Sequence, residues 1–142
     1  MRWSGWLNLG ELQASKWKGL PTSPGLYWLA AVDGSQSRPL VRVVRTDGEG
    51  TIYIGRSMSS IRGRIKTFWK CATDAMEEGH IAGWRYARSS LRRRFPLQCL
   101  AVSYLKLPES KVMREEAENL HWYWNRFGEL PPLNFSLPWL KN

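Results

Sequence analysis

Cysteine is nearly absent: the 142 residues hold two, Cys71 and Cys99, far apart and outside any paired-ligand spacing. That excludes a disulfide framework and a zinc ribbon or finger. It leaves two reduced core thiols as the reading, with a zinc role for Cys71, Cys99 and His80 the minor alternative because no paired-ligand motif joins them. Long apolar runs are missing too. No stretch approaches the ~20 residues that cross a bilayer, so no membrane helix is expected. Met1–Gly5 carries no apolar signal-peptide core, so the expected location is the cytoplasm, away from membranes. Negative charge is also scarce. Twelve Asp and Glu stand against 21 Lys and Arg, and the net charge of +9 favours a polyanionic partner.

What is present argues for a folded domain. A hydrophobic content of 43% with nine Trp supports a packed core and excludes a disordered basic tail. The length suits one domain. The basic charge is concentrated: between Arg56 and Arg94 ten Lys and Arg meet three acidic residues, so +7 of the +9 sits there. A nucleic-acid surface and a plain solvated basic face both fit this count.

The pattern along the chain places the elements. Residues 1–23 form a Trp-rich arm with a short helix near 7–15, its tryptophans expected in packing more than in stacking on DNA. Pro24–Leu29 reads as a strand, and Thr51–Ile54 as another that turns at Gly55. Between them, turns are expected at Asp33–Ser35 and Asp47–Gly50, and Pro39–Arg45 is an extra strand or an ordered loop. Ser57, Ser59 and Ser60 offer N-caps for a helix over 60–78, with apolar positions Ile61, Ile65, Phe68, Trp69, Ala72 and Met76. Arg62 and Arg64 flank that stripe equally. Gly79 ends this helix and His80 opens the next, which runs to Arg94. Arg85, Arg88 and Arg92 share one arc of it, and Arg93 and Arg94 extend the basic stripe. His80 lies on the other side with Trp84, Ala87 and Leu91, open to a structural or a catalytic use.

Leu97–Leu105 reads as a strand with one bulky face, Leu100, Val102 and Tyr104. A helix over 111–126 follows, stopped by Gly128, then a rigid extended piece over 130–134 and a tail over 135–142. On that helix Phe127, Leu120, Met113, Trp124 and Tyr123 all fall within about 80° of Glu116 at ~100° per residue, while Glu115 and Glu118 face solvent. A carboxylate on an apolar stripe must be exposed at its end, paired with an arginine, or bound to a cation.

Two tripeptides now matter together. Gly25-Leu26-Tyr27 and Tyr53-Ile54-Gly55, in that order and followed by a Ser/Arg-rich helix start, resemble the signature of the GIY-YIG nuclease family. The resemblance covers residues 24–134. It implies an α/β domain of the α+β type, with a three-stranded antiparallel sheet flanked by helices. The function it implies is a metal-dependent endonuclease acting on DNA phosphodiesters, with RNA not excluded as substrate. Tyr27 resembles the family tyrosine proposed to activate water, and Tyr53 and His80 would bind the phosphate or relay a proton. The family pattern selects Arg64 over Arg62 as the phosphate-neutralising arginine. It makes Glu116, with Leu120 and Tyr123 after it, the ligand of one Mg²⁺ or Mn²⁺. It also matches Asn134 to a site asparagine. The connection over 28–52 is longer than the family's tight hairpin. Arg56, Arg62, Arg85, Arg88, Arg92, Arg93 and Arg94 would contact phosphates. A nucleic-acid-binding module that does not cut, and a basic partner for an acidic protein, are the alternatives. Monomer and homodimer both stay open.

Overall fold

The computed structural model describes residues 2–34, 36–74 and 77–140. In chain order the elements are β1 (Leu7–Asn8), α1 (Leu9–Ala14), β2 (Gly25–Asp33), β3 (Gln36–Ser37), β4 (Thr51–Ser57), α2 (Ile61–Thr73), α3 (Ile81–Arg88), α4 (Leu91–Arg94), β5 (Leu100–Lys106) and α5 (Glu109–Phe127). A 3-10 turn at Leu97–Cys99 precedes β5. The result is a mixed α/β fold on an antiparallel sheet.

β2 is the centre of that sheet, buried on both faces, and so it reads as a continuous apolar run from Leu26 to Val32. β4 pairs along one side of it, with Tyr27 opposite Gly55 and Leu29 opposite Tyr53. β5 pairs along the other side, with Tyr27 opposite Tyr104. These three long strands carry the sheet. Two two-residue pieces bring the described strands to five: β1 on the far side of β5, and β3 in a hairpin with the end of β2.

Helices cover both faces. On one, Ile61, Ile65 and Phe68 of α2, Tyr86 of α3, and Leu9 and Leu12 of α1 pack on Tyr27, Leu29, Leu100 and Val102. On the other, Leu120, Tyr123 and Phe127 of α5 pack on Ile54, and Val112 packs on Leu26 and Leu105. Each such side chain, fully buried, contributes about 1.5–3 kcal/mol. The arm before β2 joins this core through Leu9, Leu12, Trp17 and Leu20, while Trp3 and Trp6 stay exposed. Cys71 is a buried free thiol and Cys99 a half-buried one. Among the described residues no helix is long and apolar enough to cross a membrane.

Several local expectations are corrected. Gly55 is not a turn: β4 runs through it to Ser57. The turn follows, where Ser57 Oγ accepts from the amides of Ser59 and Ser60 at 3.2 and 2.7 Å. Ser60 Oγ then caps α2 by accepting from Gly63 N at 3.1 Å. α2 ends at Thr73, short of 78, and the expected apolar residue Met76 lies outside the described residues. The helix expected over 80–94 is two helices, because Ser89 Oγ takes the Leu91 amide at 3.2 Å and competes with the helical ladder. That break interrupts the arc joining Arg85 and Arg88 to Arg92. The strand expected over 97–105 begins at Leu100, after the 3-10 turn, and its bulky residues Leu100 and Val102 and its small residues Ala101 and Ser103 are all buried. Pro39–Arg45 is an ordered loop with a single bridge, Leu40 to Asp47. Residues 130–134 make a turn, Asn134 N donating to Pro131 O at 3.0 Å, and not an extended piece. Of the terminal segments, Met1, Lys141 and Asn142 lie outside the described residues, as does Ser35 of the expected first turn.

Candidate functional site

Among the described residues β4 has β2 on one side and no strand on the other, so its outer edge needs other partners. The chain after α5 supplies them. Leu133 N donates to Ile52 O at 2.9 Å, and the Asn134 side chain exchanges two 2.9 Å hydrogen bonds with the backbone of Ile54. Asn134 thus acts as one rung of a missing strand. Beside this seam a groove of about 640 Å³ opens, where the end of β4 meets α2, α3, α5 and residues 133–138.

Tyr53, Arg56, Arg64, Arg85, Glu116 and Asn134 line the groove. Glu116 is the single carboxylate among the lining residues. Its side chain is 14% exposed, and Arg56 Nη1 donates to Oε1 at 2.7 Å. Burial nonetheless holds its pKa above the usual carboxylate range, the Arg56 charge and hydrogen bond offsetting only part of that. Burial also raises the Tyr53 phenol and Glu116 adds to it, while Arg64, Arg56 and Arg85 pull the other way. Arg85 reaches in from α3 and donates to Leu133 O at 3.1 Å.

Helix geometry left Arg62 and Arg64 equivalent; tertiary contacts separate them. Arg64 lines the groove and donates to Gly79 O at 2.9 Å. Arg62 turns to the arm and donates to Leu20 O at 2.9 Å and Lys18 O at 3.4 Å. Its guanidinium ties elements together and is not offered to the groove.

Tyr27 and His80 do not face the groove as expected. They form a buried layer behind Tyr53, Tyr27 at 0% and His80 at 1% exposure. The ring centroids of Tyr27 and His80 lie 6.0 and 5.7 Å from that of Tyr53. His80 caps α3, its Nδ1 accepting from Gly83 N at 3.4 Å. In the neutral ring the proton then sits on Nε2 and is donated to Tyr27 Oη at 2.7 Å. Burial, then the charge of Arg64, lowers the His80 pKa to about 3, so the ring is neutral. Burial raises Tyr27 well above a normal phenol, although Arg64 opposes this by charge and hydrogen bonding. A phenol so placed keeps its proton.

Arg88, Arg92, Arg93 and Arg94 lie outside the groove lining. Arg88 stacks on Trp84 at 4.2 Å and Arg94 lies 5.5 Å from the Phe95 ring. Sequence reasoning missed Ser57, Ser59 and Phe135 in the lining; the serines were legible only as caps, and Phe135 only as tail. It also missed Asp47, buried at 2% exposure, which accepts from Thr51 N at 3.0 Å and from Tyr123 Oη at 2.7 Å. That carboxylate pins the long 28–52 connection to α5, and its Asp-Gly turn was the visible signal.

Among the described residues no three His, Cys, Asp or Glu side chains gather as a metal cage. A lone carboxylate in an open groove offers one protein ligand to a hard cation, whose other ligands would be waters and phosphate oxygens. It does not suit a caged structural ion. Comparisons with protein-family models, with curated proteins and with solved structures give no match.

Proposed function

We propose that the protein is a metal-dependent endonuclease that hydrolyses DNA phosphodiesters in this groove, its fold a variant of the GIY-YIG arrangement. One observation carries the reading. Three guanidinium groups, a tyrosine hydroxyl and a single half-buried carboxylate converge on one open groove of a strongly basic chain. A phosphodiester is an anion whose cleavage adds charge, and Arg64 and Arg85 would neutralise it through their donor forks. Tyr53, the tyrosine that lines the groove, would hydrogen-bond a phosphate oxygen. Tyr27 and His80 are positioning residues in this scheme, holding the Tyr53 ring from behind. Glu116, with phosphate oxygens and water, would hold one Mg²⁺ or Mn²⁺, which when bound supplies charge neutralisation and a more acidic water.

The Arg56–Glu116 pair favours a second reading. At 2.7 Å it gives the carboxylate a partner with no cation required, as in a nucleic-acid-binding module that does not cut. Supercoiled plasmid incubated with and without Mg²⁺ or Mn²⁺ separates the two. The endonuclease nicks it only with metal, and Glu116→Gln abolishes cleavage and Mn²⁺ binding while DNA affinity holds or rises. Glu115→Gln and Glu118→Gln, with Glu118 already paired to Arg114, serve as controls. Plasmid bound but uncut by the wild-type protein establishes the binding module. A Glu116→Gln protein that cuts at near wild-type rate ends the metal assignment.

A further inference from the structure

One wall of the groove is built from Phe135, Ser136 and Pro138. Phe135 on this wall is 73% exposed, and Trp139, which follows Pro138 in the chain but is not a lining residue, is 94% exposed. Arg85 lies flat on one face of Phe135, its Cζ 3.0 Å from the ring centroid, and is pinned there by its hydrogen bond to Leu133 O. Even with this contact Phe135 stays largely exposed. One turn earlier on α3, Ile81 lines the same groove and is 66% exposed, and one turn later Arg88 stacks on Trp84. Arg85 and Phe135 thus form one arginine–ring pair in the groove wall, and Arg88 and Trp84 form a second outside its lining. Arginines neutralise any phosphate backbone, paired or not. Rings do not act so generally. In a duplex the faces of the bases are covered by their neighbours, and Phe135 and Trp139 gain nothing from it. An unpaired base offers its face to any ring of the right height, whatever its identity.

We infer that the groove takes unpaired nucleotides, a single strand or a splayed end, with Phe135 and Trp139 stacking on the bases. This rests on reading the groove as a nucleic-acid site, and it adds the substrate class. Cleavage is not needed to test it. With a metal chelator present, affinity is measured for a labelled single strand and for the same sequence as a duplex, at one salt concentration. The single strand should bind about tenfold tighter. Phe135→Ala and Trp139→Ala should each lower single-strand affinity by about five- to tenfold and leave duplex affinity within about twofold. Phe135→Trp should restore the preference, and Val41→Ala, at an exposed site in the loop over 39–45, should leave it unchanged. Tryptophan quenching by the single strand but not by the duplex, lost in Trp139→Ala, is the matching spectroscopic signature. Equal affinity for both forms, or alanine variants that weaken both equally, overturns the inference. A protein that prefers single strands yet never cuts leaves it standing while the endonuclease reading falls; one that cuts without the preference does the reverse.

Discussion

At the scale of the residue, His80 makes the fold sensitive to acid. It caps α3 with one ring nitrogen and holds Tyr27 with the other, so both positions are used only in the neutral form. Its folded pKa is lowered to about 3 from the ordinary 6.5. Between those values the unfolded chain takes up a proton that the folded chain refuses. Stability is therefore present above about 6.5 and is lost as pH falls towards about 3, by on the order of 5 kcal/mol in all. Thermal melts across this window should show the loss, and His80→Gln should flatten the profile while lowering stability at neutral pH. A variant profile as steep as the wild type's would sink this account. The helical wheel placed His80 on the apolar side but could not say that Tyr27, from a strand 53 positions earlier, arrives at its Nε2.

At the scale of the element, β4 shows what the glycines in the two tripeptides do. Gly55 sits opposite Tyr27 in the β2–β4 register. A Cβ there would lie 2.5 Å from the rings of both Tyr27 and Tyr53. Gly55 is thus small to let two tyrosines share one patch of sheet, and not because the chain bends. Gly55→Ala should cost about 1–3 kcal/mol by overpacking and shift both rings. Gly25→Ala should cost more, because its Cβ would overlap the carbonyl oxygen of Leu105 across the β2–β5 pairing, and backbone cannot rotate away as a side chain does. Chemical denaturation midpoints and near-UV circular dichroism report both effects. A Gly55→Ala protein with wild-type midpoint and aromatic signal would refute the packing argument.

At the scale of the whole molecule, the +9 charge predicts binding to nucleic acid that weakens steeply with salt. A plot of log affinity against log salt for duplex DNA should fall with a slope near −0.9 per phosphate contacted, over several contacts. Arginines should divide by location. Arg85→Ala, in the groove, should reduce the slope by about one contact. Arg62→Ala should leave the slope unchanged and lower stability instead, because it removes the ties to Leu20 O and Lys18 O. Affinity that is flat from low to moderate salt would make the basic surface a solvated face.

Much of this was readable from the chain, and for local reasons. Strand β2, the Ser60 cap, the Gly128 stop and the burial of Leu120, Tyr123 and Phe127 follow from alternation, helical period and the few residues that suit caps or positive φ. The direction of Glu116 followed the same way. What sequence could not supply are pairings between distant segments, since local propensity carries no information about which elements meet. Tertiary packing alone decided that Arg56 pairs with Glu116, and it separated Arg64 from Arg62, which helix geometry had left equivalent and only the tripeptide resemblance had ranked. It also buried Tyr27 and His80 behind Tyr53, because the two-sided burial of β2 leaves no open face at position 27. And it brought residues 133–138 back along the bare edge of β4, where backbone groups without a strand partner had to be satisfied by Leu133 and Asn134.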